Sequence, residues 1–134
     1  MFKDLKTHAA SLIFHPPETE LADGVADASS WLEVAKDIGP LNLMTVFGAA
    51  TGNPSACVVT ILVKAADDSS GTNPTTLINT DVTLSSLTDG EVNWQLNNVR
   101  SQPYMQVSLE ANFTDGTSPT IFASCVGLWP KRQA

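Results

Sequence analysis

Met105-Gln-Val-Ser-Leu-Glu-Ala-Asn112 decides the fold. Apolar residues stand at every second position, Met105, Val107, Leu109 and Ala111, while Gln106, Ser108, Glu110 and Asn112 fill the gaps. Successive side chains of an extended chain point to opposite faces, so this is the period of a half-buried β-strand, one face on a core and one in water. Pro103 sets a rigid turn ahead of it and leaves Tyr104 at the strand's entrance.

The same alternation recurs in both directions along the chain. Ala56-Cys-Val-Val-Thr-Ile-Leu-Val-Lys64 turns Cys57, Val59, Ile61 and Val63 to one face, and Val58 and Leu62 on the other mark a central strand covered on both sides. Leu41, Leu43, Thr45 and Phe47 share a face, as do Thr76, Ile78, Thr80, Val82 and Leu84. Val92, Trp94 and Leu96 form another clean alternation, whose apolar side is expected to pack into the core. In the last run, Thr120 to Leu128, Phe122, Val126 and Leu128 oppose Ile121, Ala123 and Cys125.

Between these runs lie clusters of turn formers: Gly48-Ala-Ala-Thr-Gly-Asn-Pro54, Ala65-Ala-Asp-Asp-Ser-Ser-Gly-Thr-Asn-Pro74, Thr88-Asp-Gly90 and Thr114-Asp-Gly-Thr-Ser-Pro119. Short strands spaced at about ten residues with such punctuation predict an all-β fold: a single-domain antiparallel β-sandwich or jelly roll of seven to eight short strands. Its expected limits are residues 11–129, with an N-terminal arm over 1–10 and a basic C-terminal tail over 130–134. Ser11 to Phe14 reads as a short strand ended by His15-Pro-Pro17, and residues 18–28 as an acidic loop. Ser30 to Gly39 is ambiguous. Ser30 and Glu33 match a capping box and Trp31, Val34, Ala35 and Ile38 have helical spacing, but the run is short and β-prone, and strand is preferred.

The chain of 134 residues is long enough to bury a core without staples. Its charged fraction, 16%, is low against the typical ~25%, and the balance is made up by Ser, Thr, Asn and small apolar residues. Net charge is −7, unevenly spread: Lys3, Lys6, Lys131 and Arg132 sit near the ends, so thirteen carboxylates face only Lys36, Lys64 and Arg100 between residues 7 and 130. An acidic body repels phosphate, so nucleic acid is excluded as a partner. No membrane partner is expected, because Leu12-Ile-Phe14 is far too short to cross a bilayer, and no apolar region follows the charged start.

Catalytic chemistry has no recognisable spacing here. His8 and His15 lie far from Cys57 and Cys125, without Cys-x-x-Cys or His-x-x-x-His, so no metal or cofactor is expected. There is no Gly-x-Ser-x-Gly turn. Asp67-Asp-Ser-Ser-Gly71 offers oxygens, but position 78 is Ile where a calcium loop needs its bidentate acid, and an exposed turn accounts for these residue types. Cys57 and Cys125 read as small buried hydrophobes with free thiols. Asn112-Phe-Thr114 fits a glycosylation sequon, which carries little weight without an export signal. Arg100, the one cation between Lys64 and Lys131, is either a structural partner for a carboxylate or half of an intersubunit pair.

The succession Ala22-x-Gly24, Ser30-Trp-Leu-Glu-Val34, Ile38-Gly-Pro-Leu41, then Val58–Lys64 running into Ala66-Asp-Asp-Ser-Ser-Gly71, and Val99-Arg100 followed by Tyr104-Met-Gln-Val107, resembles the capsid decoration, or cement, proteins of tailed bacteriophages of small β-sandwich type. The similarity spans about residues 20–128. It implies a non-enzymatic virion protein, made in the host cytoplasm, that binds the outer capsid surface as a homo-oligomer, trimer or dimer, and bridges subunits of the major capsid protein. That family has no catalytic motif to carry over. Arms that order on a partner would suit such a role, and the expected interface residues are Phe2, Lys3, Lys6, Phe14, Arg100, Trp129, Lys131 and Arg132. Alternatives are a carbohydrate- or receptor-binding module, which would need an exposed aromatic platform from among Trp31, Trp94 and Trp129, or a tail tube or head-completion subunit.

Overall fold

The computed structural model describes residues 9–34, 40–97 and 102–130, and all of the regular structure among them is β. The strands are β1 (Ala9–Ala22), β2 (Ala26–Ala28), β3 (Leu32–Glu33), β4 (Leu41–Thr51), β5 (Ala56–Ala66), β6 (Thr75–Thr83), β7 (Glu91–Asn97), β8 (Tyr104–Thr114) and β9 (Thr120–Pro130). They form a four-stranded sheet in the order β1-β9-β4-β7 and a second sheet in the order β2-β8-β5-β6, with β3 also on β8.

The connectivity follows from nested antiparallel pairs. β5 pairs with β6, β4 with β7, β2 with β8 and β1 with β9, as in one long hairpin whose tip is the loop after β5. Rolling that hairpin up brings β9 against β4 and β8 against β5, which closes the two sheets. The result is a jelly roll, the more specific of the two expected architectures. Nine strands among the described residues replace the expected seven or eight because β2 and β3 add short pieces beside β8.

The strand with the clearest alternation is central. β8 pairs with β5 in unbroken register from Tyr104↔Ala66 to Thr114↔Ala56, and with β2 and β3 on its other side. Met105, Val107, Leu109 and Ala111 are fully buried, as are Cys57, Val59, Ile61 and Val63 of β5. They pack with Leu41, Leu43 and Phe47 of β4 and Ile121, Ala123 and Cys125 of β9 into one core. Cys57 and Cys125 are free thiols on these inner faces. Burial and the negative charge of Asp23 push the Cys57 thiol up to about 11, and burial pushes Cys125 to about 12 against the pull of the Thr45 hydroxyl 3.7 Å away.

Three expectations are corrected. First, β1 does not stop at His15-Pro-Pro17; it continues to Ala22, with register shifts between Ile13 and His15 and between His15 and Thr19. Pro16, Pro17 and Glu18 fall in the second shift, and Glu18 takes φ 68°. An edge strand tolerates proline at a bulge, where no ladder donor is missed. His15 turns inward there, and its Nε2 donates to the Val107 carbonyl at 2.8 Å, tying β1 to β8 across the sandwich. Second, residues 18–28 are not simply a loop: the end of β1 and all of β2 lie in them, their acidic residues being on exposed edges. Third, Phe14 and Trp129 are core residues, exposed by only 5% and 1%, with ring centroids 6.3 Å apart at 60°. The strand preference within 30–38 holds for Leu32–Glu33, which pair with Met105 and Tyr104; residues 35–39 lie outside the described residues.

Candidate docking surface

β7 is inverted. Its outward side carries Val92, Trp94 and Leu96, exposed by 52%, 55% and 59%, while Glu91, Asn93, Gln95 and Asn97 turn toward the interior side. The polar side chains find partners there. Glu91 accepts from the Ser85 backbone N–H at 3.0 Å and from its hydroxyl, Gln95 donates to Asn93 at 3.0 Å, and Asn97 donates to the Leu77 carbonyl at 2.7 Å. These bonds and the pairing with β4 lock the register, since a slip of one residue would exchange the two faces. The expected core packing of Trp94 is therefore wrong. The alternation groups Val92, Trp94 and Leu96 correctly, but the partnered polar side is the one facing in.

The apolar side of β7 continues across the sheet. Trp94 lies opposite Met44, Met44 opposite Val126, and Val126 opposite Ile13, so one apolar row crosses all four strands. Val92 faces Val46 in the next row, and Leu96 faces Asn42, which faces Leu128. Ile13 is exposed by 60% and Phe122, on the same side of β9, by 42%. The five exposed apolar side chains each leave about 100 Å² in water, half of what a large side chain can bury. That is about 500 Å² before the half-buried Met44, Val46, Val126 and Leu128 are added, at the upper end for a monomer's largest patch.

Charge is almost absent from this sheet. Its four strands contain no lysine or arginine, and their only carboxylates are Glu18 and Glu20 on β1 and the Ser85-bound Glu91. The outer face of the other sheet is polar by contrast: Thr60 donates to Asp81 at 2.7 Å, and Lys64, Gln106, Ser108 and Glu110 lie on neighbouring strand positions. A shallow groove of about 520 Å³ borders the apolar face, its lining including Val46, Gly48, Thr88, Asp89, Glu91 and Val92.

The remaining sequence candidates distribute as follows. Phe2, Lys3, Lys6, Arg100, Lys131 and Arg132 lie outside the described residues. Ala9 pairs with Pro130, so the chain segments bearing Lys3, Lys6, Lys131 and Arg132 join the fold at adjacent points of the same sheet. Trp31 is half-buried against Gly71, where an added Cβ would meet the indole at 2.8 Å. The carboxylates of the Asp67-Asp68 loop are already in use. Asp67 accepts from Gln102 at 3.0 Å and Asn73 at 2.9 Å, and Asp68 from the Thr72 hydroxyl at 2.6 Å and the backbone N–H groups of Ser70 and Thr72. These bonds hold both carboxyls below the usual carboxylate range. Among the described residues, no three His, Cys, Asp or Glu gather closely enough to hold a metal ion.

No protein-family model and no curated protein matches the sequence. Solved structures do match. The VP2 subviral particle of infectious bursal disease virus aligns over 92% of this chain and 32% of that chain, at 13% identity and a TM-score of 0.59. T=1 particles derived from the same virus align over 92% and 31%, at 15% identity and a TM-score of 0.54. Its Gt strain gives 90% and 32%, 14% identity and a TM-score of 0.51. This chain spans about a third of the length of those viral chains. At such identities the likeness is one of fold, and the fold it supports is a β-sandwich like that within these viral particle proteins.

Proposed function

We propose that this protein is a non-enzymatic virion structural protein that binds the outer surface of a phage head and stabilises the capsid by bridging major-capsid subunits. One observation carries the reading: the outer face of one sheet holds a continuous apolar row and five exposed apolar side chains, on strands without lysine or arginine, in a chain of net charge −7. An apolar surface of that extent serves association. The viral particle proteins that share the fold support the setting, and the resemblance to cement proteins supports the location on the head. The segments 1–8 and 131–134, joining one end of one sheet, supply the basic residues that the apolar face lacks. Repeated attachment over a lattice would add avidity to a modest single contact.

Exposed Trp94 also raises the reading of a sugar-stacking platform. Its neighbours weaken that reading, because Val92, Leu96 and Met44 give sugar hydroxyls nothing to bond, and a sugar site needs a few convergent polar groups. Quantitative mass spectrometry of purified particles tests the main reading. The expected result is on the order of hundreds of copies per head, as lattice attachment requires. A handful of copies, or copies recovered with tails alone, would remove it. Deleting residues 1–10 is expected to reduce retention on purified heads, and undiminished retention would remove the arm from the mechanism.

A further inference from the structure

We infer that the outer face of the β1-β9-β4-β7 sheet is the contact between two copies of this chain, packed face to face about a two-fold axis. The inference rests on the same apolar face as the proposed function and assigns it to self-association, which leaves attachment to the head to other surfaces of the dimer.

The inversion of β7 is the first ground. The strand has a polar side and an apolar side, and the fold places the polar side inward with its own set of hydrogen bonds. A strand so arranged keeps Val92, Trp94 and Leu96 on a face that none of the described residues covers.

The chemistry of the face selects the occupant. With no cation it cannot hold an acidic partner by charge, and its row Ile13, Val126, Met44, Trp94 offers no carboxylate to a basic one. Two copies at −7 repel wherever their carboxylates meet, and this sheet has few to bring together: Glu91 is turned to Ser85, Glu18 lies in the bulge of β1, and Glu20, opposite Phe122 on the edge strand β1, is off the row that holds Trp94. A flat face meeting itself across a two-fold axis is complementary by symmetry. Aligned sheets pack about 10 Å apart through interleaved side chains, the mode in which this molecule already packs its own two sheets.

The area is adequate. The five exposed side chains and the four half-buried ones beside them approach the ~800 Å² that each partner gives to an interface of standard size. Trp94 is the large aromatic of the apolar row, the residue type on which binding energy concentrates.

Sedimentation velocity on the full-length chain, from low to high micromolar concentration, tests this. The wild type is expected to dimerise, and Trp94→Glu to weaken the dimer by about 30-fold or more, as loss of a central tryptophan anchor does. Val25→Glu, at a side chain exposed by 58% but outside this sheet, is the control and is expected to leave the dimer intact. Circular dichroism establishes that both variants fold. A wild type that stays monomeric throughout overturns the inference, and so does a dimer indifferent to Trp94→Glu. If the wild type is monomeric and Trp94→Glu abolishes retention on heads, the face belongs to the capsid protein, and the inference falls while the proposed function stands. If a monomeric wild type dimerises only after residues 1–8 are removed, the chain's own N-terminal segment covers the face, which also overturns it. A dimer that fails to bind heads leaves the inference standing and removes the proposed function.

Discussion

Gly127→Ala is the substitution whose cost is most directly written in the geometry. Gly127 sits on the inner side of β9 between Phe14 and Trp129. A Cβ there would lie 2.8 Å from Phe14 Cε2, 2.8 Å from Trp129 Cη2 and 3.1 Å from Trp129 Cζ3. Non-bonded carbons settle at about 3.5–4.0 Å, so the methyl group overlaps each ring by roughly 0.7 Å. Neither ring has room to retreat, since Phe14 is 5% and Trp129 1% exposed and they already touch each other. Overpacking of this kind costs about 1–3 kcal/mol. At about 2 kcal/mol, the urea midpoint should fall by about 1 M for a typical slope, and the melting temperature by about 5–10 °C for a chain of this size. Far-UV circular dichroism at one fixed protein concentration reads both. Phe14→Leu relieves one of the two overlaps, so Gly127→Ala in that background should cost measurably less than in the wild type. A Gly127→Ala variant as stable as the wild type would refute the packing of these two rings around β9.

Two further outcomes follow from the titrating groups. Cys57 and Cys125, buried and raised to about 11 and about 12, should both resist an aromatic disulfide reagent at pH 8 in the native protein and both react in denaturant; rapid native labelling of either would contradict its burial. Asp67 and Asp68 have folded pKa values below their ordinary ones, so their stabilising contribution is complete above the ordinary carboxylate value, about 4, and is lost as pH falls through the lowered folded values. The difference in urea midpoint between the wild type and Asp67→Asn/Asp68→Asn should accordingly shrink on acidification below about pH 4, and a difference constant to pH 2 would count against the hydrogen bonds of that loop.

The buried strands were legible because their chemistry and their period agree. In β5 every apolar position of one phase is buried, as are Met105 to Ala111 of that phase in β8 and Leu41 to Phe47 in β4. β7 has an equally clear period, yet alternation states only that there are two faces. Which face turns inward depends on Ser85, six residues before Glu91 across the turn, and on Leu77, 20 residues before Asn97 on another strand, and these meet Glu91 and Asn97 only in the folded state. The one face with functional promise was thus assigned to the core, and the signal that could have found it is the cluster of Asn93, Gln95 and Asn97, three amides able to satisfy one another and a backbone carbonyl inside. The length of β1 is hidden in the sequence for a related reason. Pro16 and Pro17 end a central strand but not an edge strand that bulges, and the position of a strand within its sheet is a property of topology. Phe14 and Trp129 were set at the ends of the domain by their sequence positions, although the pairing of Ala9 with Pro130 makes those ends part of a sheet.

The nesting of strand pairs also orders events during synthesis. β9, the last of the described strands, lies between β1 and β4, so until residues 120–130 have left the ribosome β1 has none of its described neighbours in the sheet and β4 has only β7. The apolar row through Ile13, Val126, Met44 and Trp94 is split across the chain and comes together only when β9 docks. Pairings this distant in sequence form slowly, which leaves the nascent chain with scattered hydrophobic residues where the finished one has a single flat surface. Association through this surface therefore waits on the docking of β9.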